Sequence, residues 1–585
     1  MYKIVEMILI DREQKWFNKR DVIDDLQGAG QSGLSSLHTS LILREAINYN
    51  VAKGETVYIA LLDTRKAFDT VWVNGLLYKM HELGISHKAW RMIFECFKNF
   101  ENAVLVSGVY GRWFKPKRGV HQGAPLSMYL YLVFVNDLLK NIKNSGYGLH
   151  ISDINVSCPA FADDVTPGSL HKYGLNKMLD IAYRYSNKWL YDYSPDKCSY
   201  MVWGKDKSPN VPVKMGQYEL KRVPSCKHMG VQLCENKNMD DIALSTRIGS
   251  CRKSLLAFRG IGSYHVPTSP TTLSKVYNSV CLVKMLYGIE IIPINQSSIN
   301  ELEQAHLKQA KIIQGLPQNI ATPAPLAAIG WLSIKANIAL SKILFLVRIL
   351  MLPDRNVYKN IVMFILQSKE NEPGQSNSVI LDMWKQAKKY DVWHLIENVI
   401  SGKVTCYQNV KSEMKHIIKE HDYYEWRVSC SMYQNLSFYS DMVHSVNMHT
   451  WWVVARKLPH IFKQISCLMA IVMGGQPRGL QRNFDKSKCK LCSANCKEDP
   501  QHIIFNCNEL QEVRNTKLLE MYSVMPKSMV NNMLDMTVSQ QAMFILSPLR
   551  SLYIPEWNDI YVSIASLIFE IYKCRAMKYD LQDQL

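Results

Sequence analysis

No run of apolar residues in this 585-residue chain is long enough to cross a bilayer: Tyr129 to Val135 is broken by Asn136-Asp137, and Ile465 to Met473 stops too soon. The N-terminus, Met1-Tyr2-Lys3-Ile4-Val5-Glu6, lacks the basic-then-apolar order of a secretory signal. The 15 cysteines are odd in number and follow no repeated disulfide spacing, which argues for a reducing compartment. A soluble intracellular protein with no membrane partner is therefore expected. Internal repeats and long low-complexity segments are absent too. Acidic residues are in deficit, 51 against 69 Lys plus Arg, and the formal charge of +18 favours a polyanionic partner such as nucleic acid. Apolar content is not short: at 47% it is ample for packed cores, and the length implies several domains.

Val57-Tyr58-Ile59-Ala60-Leu61-Leu62 is a continuous apolar run, the pattern of a strand buried on both faces, and Asp63 falls at its end. Phe68, Val71, Trp72, Leu76 and Met80 follow at helical spacing up to Gly84, so Asp63 is expected at a strand-to-helix junction. Gly119 and Gly123 bracket a loop, and Pro125 suits the first turn of an apolar helix from Leu126 to Leu139. Ile154, Val156 and Cys158 alternate towards Phe161-Ala162-Asp163-Asp164, which predicts a hairpin with two carboxylates at its tip. An amphipathic helix from Leu175 to Leu190 and a strand from Cys198 to Trp203 complete an α+β layer, with helices on one face of an antiparallel sheet. Beyond His228-Met229-Gly230-Val231 the pattern is mainly helical to Leu352, and Ser368 to Ser378 has a linker's composition, which predicts a domain boundary. Tyr423, Tyr424, Trp426, Tyr433, Phe438, Trp451 and Trp452 then alternate with basic residues. Such aromatics can stack on unpaired bases, but a helical core is the preferred reading.

Three acidic positions carry the chemistry. Asp63, Asp163 and Asp164 supply hard anionic oxygens on rigid supports, as a pair of Mg²⁺ ions at a nucleotidyl-transfer site requires. Taken singly, Asp63 reads better as a helix cap and Asp163-Asp164 as a solvated turn; the three pieces in order favour the metal site. Asp69 is expected to orient the loop. A second cluster is Cys489-x-x-Cys492 with His502 and Cys507, four ligands that suit a tetrahedral, structural Zn²⁺, with Cys496 as a substitute. Four unrelated residues in a Cys-rich segment remain the alternative. Arg478, Arg482, Lys486, Lys488 and Lys490 around it suit phosphate binding or form a solvated face.

The ordered set of Gln27 to Ser35, Asp63 with Phe68-Asp69, Arg118 to Ser127, Phe161 to Asp164, Trp189 with Lys197, and His228 to Val231 resembles the reverse transcriptase of non-LTR (LINE-type) retrotransposons. The resemblance implies a right-hand polymerase palm with partial fingers, a helical thumb and C-terminal region, and a small zinc knuckle. The expected divisions are fingers 1–56, palm 57–235, thumb and connection 236–367, helical region 379–480, knuckle 481–515 and helical tail 516–585. It implies an RNA-directed DNA polymerase using two Mg²⁺, with RNA template, DNA primer or target DNA and dNTPs as partners, in nucleus or cytoplasm. Phe68 would exclude a 2′-hydroxyl, Gln122 and Gly123 would let the backbone approach the template and primer, and Lys197 would neutralise or protonate pyrophosphate. By pattern alone, Phe68 is a core aromatic and Lys197 a surface charge.

The sequence also departs from the family. The family's fingers segment commonly reads Gly-Phe-Arg where this chain has Ala29-Gly30-Gln31, the fingers are short, and Pro167 falls where a paired strand would continue. These departures suggest a truncated copy, and they leave open a catalytically decayed nucleic-acid-binding protein.

Overall fold

The computed structural model describes residues 2–582 except 21, 86, 236–239, 262–268, 319, 369–377, 434–435, 437–438, 441–442, 444–446, 474–487, 493–495, 497–500 and 547–553. Most of the expected linker, together with Phe438, Arg478, Arg482 and Lys486, lies outside the described residues. The chain divides into two compact units. One comprises Met1–Ala243, Gly288–Pro293 and Lys342–Tyr407; the other comprises Leu244–Tyr287, Ile294–Ser341 and Gln408–Leu585.

The first unit is built on a four-stranded sheet. Its order is Lys221–Arg222, Ser199–Trp203, Val57–Leu61, Gly168–Ser169. The central strand β1 (Val57–Leu61) is buried at all five positions, as a sequence with no residue suited to water requires. Helices Ser36–Ala52 and Lys172–Trp189 both pack on it. Its antiparallel neighbours are Gly168–Ser169 on one side and Ser199–Trp203 on the other. At Gly168 a Cβ would lie 2.5 Å from Ile59 Cδ1, so glycine permits this close approach. Pro125 opens the helix Pro125–Lys143, whose apolar length is almost wholly buried. The hairpin Ser225–His228 with Val231–Cys234 turns through Met229 and Gly230, both at positive φ (49° and 80°), the two-residue turn that matches strand twist.

Two expectations need correction. Pro167 does not stop the strand: its carbonyl accepts from Ala60 N–H (2.9 Å), while Thr166 and Gly168 donate to Pro159 and Ser157 on the other side. The proline therefore costs one ladder bond, and the strand resumes at Gly168. The segment after Asp63 is not one helix but two, Ala67–Thr70 and Val73–Glu82. The carbonyls of Phe68 and Val71 are taken by Val120 and Gly119 N–H (2.8 and 2.9 Å) instead of by the next helical turn.

Helices Val357–Gln367 and Val379–Lys389 belong with the sheet, because the buried Glu45 carboxylate accepts from Val379 N–H (2.7 Å) and the Ser378 hydroxyl (2.8 Å) at a helix start.

The second unit is helical. Asn558–Gln582 packs against Phe462–Val472 and Gln511–Val524. Trp451 and Trp452 are fully buried, their indole N–H groups donating to Leu546 O (2.8 Å) and Gln314 Oε1 (3.0 Å), whereas Tyr424 is 68% exposed. No helix among the described residues is long and apolar enough to cross a membrane.

Candidate active site

Asp63 stands just beyond β1, and its backbone is fixed in both directions by the segment that follows Trp189. Its N–H donates to Cys198 Sγ (3.4 Å) and its carbonyl accepts from Ser194 N–H (2.8 Å). The side chain keeps partial exposure, and Lys197 Nζ lies 3.5 Å from its Oδ2. A buried strand end thus presents a carboxylate whose backbone cannot drift.

Asp163 and Asp164 lie on the tight hairpin Ala160–Phe161 with Asp164–Val165. Ala162, in the turn, has φ of 56°, a left-handed conformation that an alanine adopts only when its surroundings enforce it. Burial, then Asp163 and Asp63 in turn, push the Asp164 carboxyl up to about 6. Burial also raises Asp163; its own backbone N–H works against this, and Asp63 adds to the rise. Burial first, and the nearby negative charge of Asp63 after it, thus disfavour the charged forms of Asp163 and Asp164, the electrostatic condition that a divalent cation relieves.

The loop expected beside them is stitched onto the first acidic segment. Besides the two backbone bonds from Gly119 and Val120, Gln122 Nε2 donates to Asp69 Oδ1 (2.9 Å) and Arg118 Nη1 donates to Leu190 O (2.9 Å). Gly119 sits at φ of 99°, and a Cβ there would lie 3.1 Å from Asp69 O. Gly123, at φ of 84°, faces open space. Phe68 is partly exposed and stacks on Tyr131, with ring centroids 4.8 Å apart and planes 22° apart. Burial, with Tyr191 and Asp163 adding to it, holds the Tyr131 hydroxyl well above its ordinary range, so this ring is a neutral floor.

Two residues of this site escaped the sequence reading. Tyr131 was hidden in an apolar helix, where any aromatic reads as core. Gln27 lay inside a recognised motif, but nothing local indicated that its buried amide reaches Ala162.

The second cluster is assembled as well. Ligand atoms of Cys489, Cys492, His502 and Cys507 all lie within 4.8 Å of one another. Cys489 N–H donates to Cys496 O (2.9 Å), closing the first turn, and Cys507 N–H donates to His502 O (2.8 Å), closing the second. Cys496 Sγ is 3.1 Å from His502 Nδ1, so it adjoins the four rather than standing apart. Burial pushes the Cys507 thiol up to about 12, and Cys489 adds to this. Soft thiols and an imidazole brought this close form a donor set able to hold zinc. Among the described residues no other His, Cys, Asp or Glu group converges so tightly.

Residues 1–233 match the family described as reverse transcriptase (RNA-dependent DNA polymerase). The chain is 27% identical over 190 residues to the retrovirus-related Pol polyprotein from a type-1 retrotransposable element R2 of Nasonia vitripennis, covering 31% of this chain and 18% of that protein. It is 23% identical over 278 residues to the RNA-directed DNA polymerase from mobile element jockey of Drosophila melanogaster, covering 45% and 29%. A solved Candida albicans telomerase is similar at a TM-score of 0.31 and 13% identity, over 59% of this chain and 55% of that one, too distant to carry weight. The alignments span less than a third of the R2 and jockey proteins. With its acidic strand end, acidic hairpin and stitched glycine loop, the chain carries, over residues 1–233, a reverse transcriptase domain of the non-LTR retrotransposon kind.

Proposed function

We propose that the chain is an RNA-directed DNA polymerase, joining a dNTP to a primer 3′-hydroxyl on an RNA template. The observation that carries this reading is that, within the matched domain, the strand-end carboxylate of Asp63 acts electrostatically on the hairpin carboxylates of Asp163 and Asp164. Their hard oxygen donors fit Mg²⁺, with Asp63 and Asp163 as principal ligands and Asp164 in support. When bound, a pair of such ions supplies Lewis acidity at the attacking and leaving oxygens.

The residues do the rest. Lys197, 3.5 Å from Asp63, offers a mobile positive charge to the departing pyrophosphate. Phe68, braced by Tyr131, is a rigid wall against a 2′-hydroxyl. Gln122 is oriented by Asp69, and Gly123 leaves the backbone open to the template and primer. In this reading the folding units correspond to a palm with fingers and to a helical thumb and C-terminal region. Cys489, Cys492, His502 and Cys507 hold a structural Zn²⁺, and the element's RNA and a chromosomal or other DNA primer are the partners, in nucleus or cytoplasm.

The test is primer extension on an RNA template with dNTPs and Mg²⁺, comparing the parent with Asp163→Asn at equal binding occupancy. Extension by the parent that collapses in the variant supports the polymerase and its metal ligand together. Binding without extension by either favours a decayed nucleic-acid-binding protein.

A further inference from the structure

The amide of Gln27 is 1% exposed and lies against the acidic hairpin tip. Its Oε1 accepts the Ala162 N–H at 2.8 Å, and its Nε2 donates to the Ala162 carbonyl at 3.3 Å. One side-chain amide thus satisfies both backbone polar groups of the single residue in this turn that must be left-handed. The clamp is itself held. Oε1 also accepts from Ala29 N–H (3.1 Å), while Ala160 N–H donates to Leu26 O (3.0 Å) and Gly28 N–H donates to Ala160 O (2.9 Å). The Gln27 backbone is therefore bonded alongside the same strand whose turn its side chain grips.

The consequence is mechanical. A non-glycine residue at positive φ relaxes unless something opposes it, and a peptide rotation at Ala162 would swing the next residue, Asp163. Opposing both the N–H and the C=O of Ala162 requires a side chain that accepts and donates in one plane at this reach, which is a glutamine amide. A carboxylate accepts only, and a thioether of similar size accepts weakly and donates nothing.

We infer that Gln27 is a positioning residue: it locks Ala162 in its left-handed conformation and so fixes the direction in which Asp163 presents its carboxylate. This rests on the polymerase reading for its catalytic consequence, but not for its effect on cation binding.

The experiment uses the full chain. Mn²⁺ binding is followed by electron paramagnetic resonance, and primer extension by initial rate against Mg²⁺, for the parent, Gln27→Met, Gln27→Glu and Gln27→Met with Ala162→Gly. Outer contacts of this type govern metal affinity by about tenfold or more. Gln27→Met is therefore expected to weaken Mn²⁺ binding about tenfold and to lower kcat by about 100-fold, with KM for template and primer unchanged. Gln27→Glu, which keeps the acceptor, should lose less.

Glycine at 162 adopts positive φ without help, so the double variant should recover most of the Mn²⁺ affinity lost by Gln27→Met. A core-packing role would give no such rescue. Unchanged Mn²⁺ binding in Gln27→Met, or an equal loss in the double variant, overturns the inference while leaving the polymerase reading intact. A parent that binds no Mn²⁺ overturns both. A parent that binds Mn²⁺ and shows the rescue but extends no primer supports the positioning role and counts against the polymerase reading.

Discussion

Replacing Asp164 by asparagine should stabilise the cation-free protein at neutral pH while damaging its chemistry. The carboxyl ionises near 3.8 in an open chain and near 6 in the fold, because burial, Asp163 and Asp63 all oppose its charge. Between those values the folded state holds a proton that the unfolded state has lost. Stability from this group is therefore greatest below about 4, falls as pH rises to about 6 and stays low above it. A rise from 3.8 to about 6 is worth ~3 kcal/mol at full strength. The carboxyl is only partly buried, so solvent screening reduces this to ~1–1.5 kcal/mol.

Asp164→Asn keeps the shape and removes the charge. With chelator present, calorimetric unfolding should place its first transition a few degrees above the parent's at pH 7.5, at ~2–4 °C per kcal/mol for a unit of this size, and level with it at pH 4. Added Mg²⁺ should stabilise the parent more than the variant and close the gap. An Asp164→Asn protein equally shifted at both pH values, or less stable at pH 7.5, would refute the view that burial and the neighbouring carboxylates oppose the Asp164 charge.

Gly119→Ala asks an L-residue to hold φ of 99° with a Cβ 3.1 Å from Asp69 O; a loss of at least ~1–2 kcal/mol and slower extension are expected, read by urea titration and initial rates. Phe68→Ala removes the ring braced by Tyr131 and should admit ribonucleotides, measured as the ratio of rNTP to dNTP incorporation. Cys489→Ser should abolish stoichiometric zinc in the purified chain, as metal analysis would show, and increase hydrogen exchange in the 501–510 segment, whose turn closes on the same cluster. Glu45→Ala strips the start of the Val379–Lys389 helix of its acceptor and should cost about 2–3 kcal/mol in the unit that contains the sheet, again by urea titration.

Sequence alone determined the local pieces. An unbroken apolar run had to be a strand covered on both faces, Pro125 had to start a helix, and Cys489-x-x-Cys492 had to be a tight turn of thiols, because period, proline geometry and spacing act over a few residues. The tertiary structure decided what those pieces could not specify. It broke the helix at Val71-Trp72, since loop residues about fifty positions away claim the carbonyls at 68 and 71. It carried the strand past Pro167, since a carbonyl can accept even where a proline cannot donate. It joined residues 342–407 to the sheet across the apparent linker, through a buried carboxylate more than three hundred residues upstream. It turned Gln27 from a motif letter into a clamp on Ala162. Each of these depends on a hydrogen bond between residues far apart in sequence, and no local pattern encodes which distant group will arrive to make it.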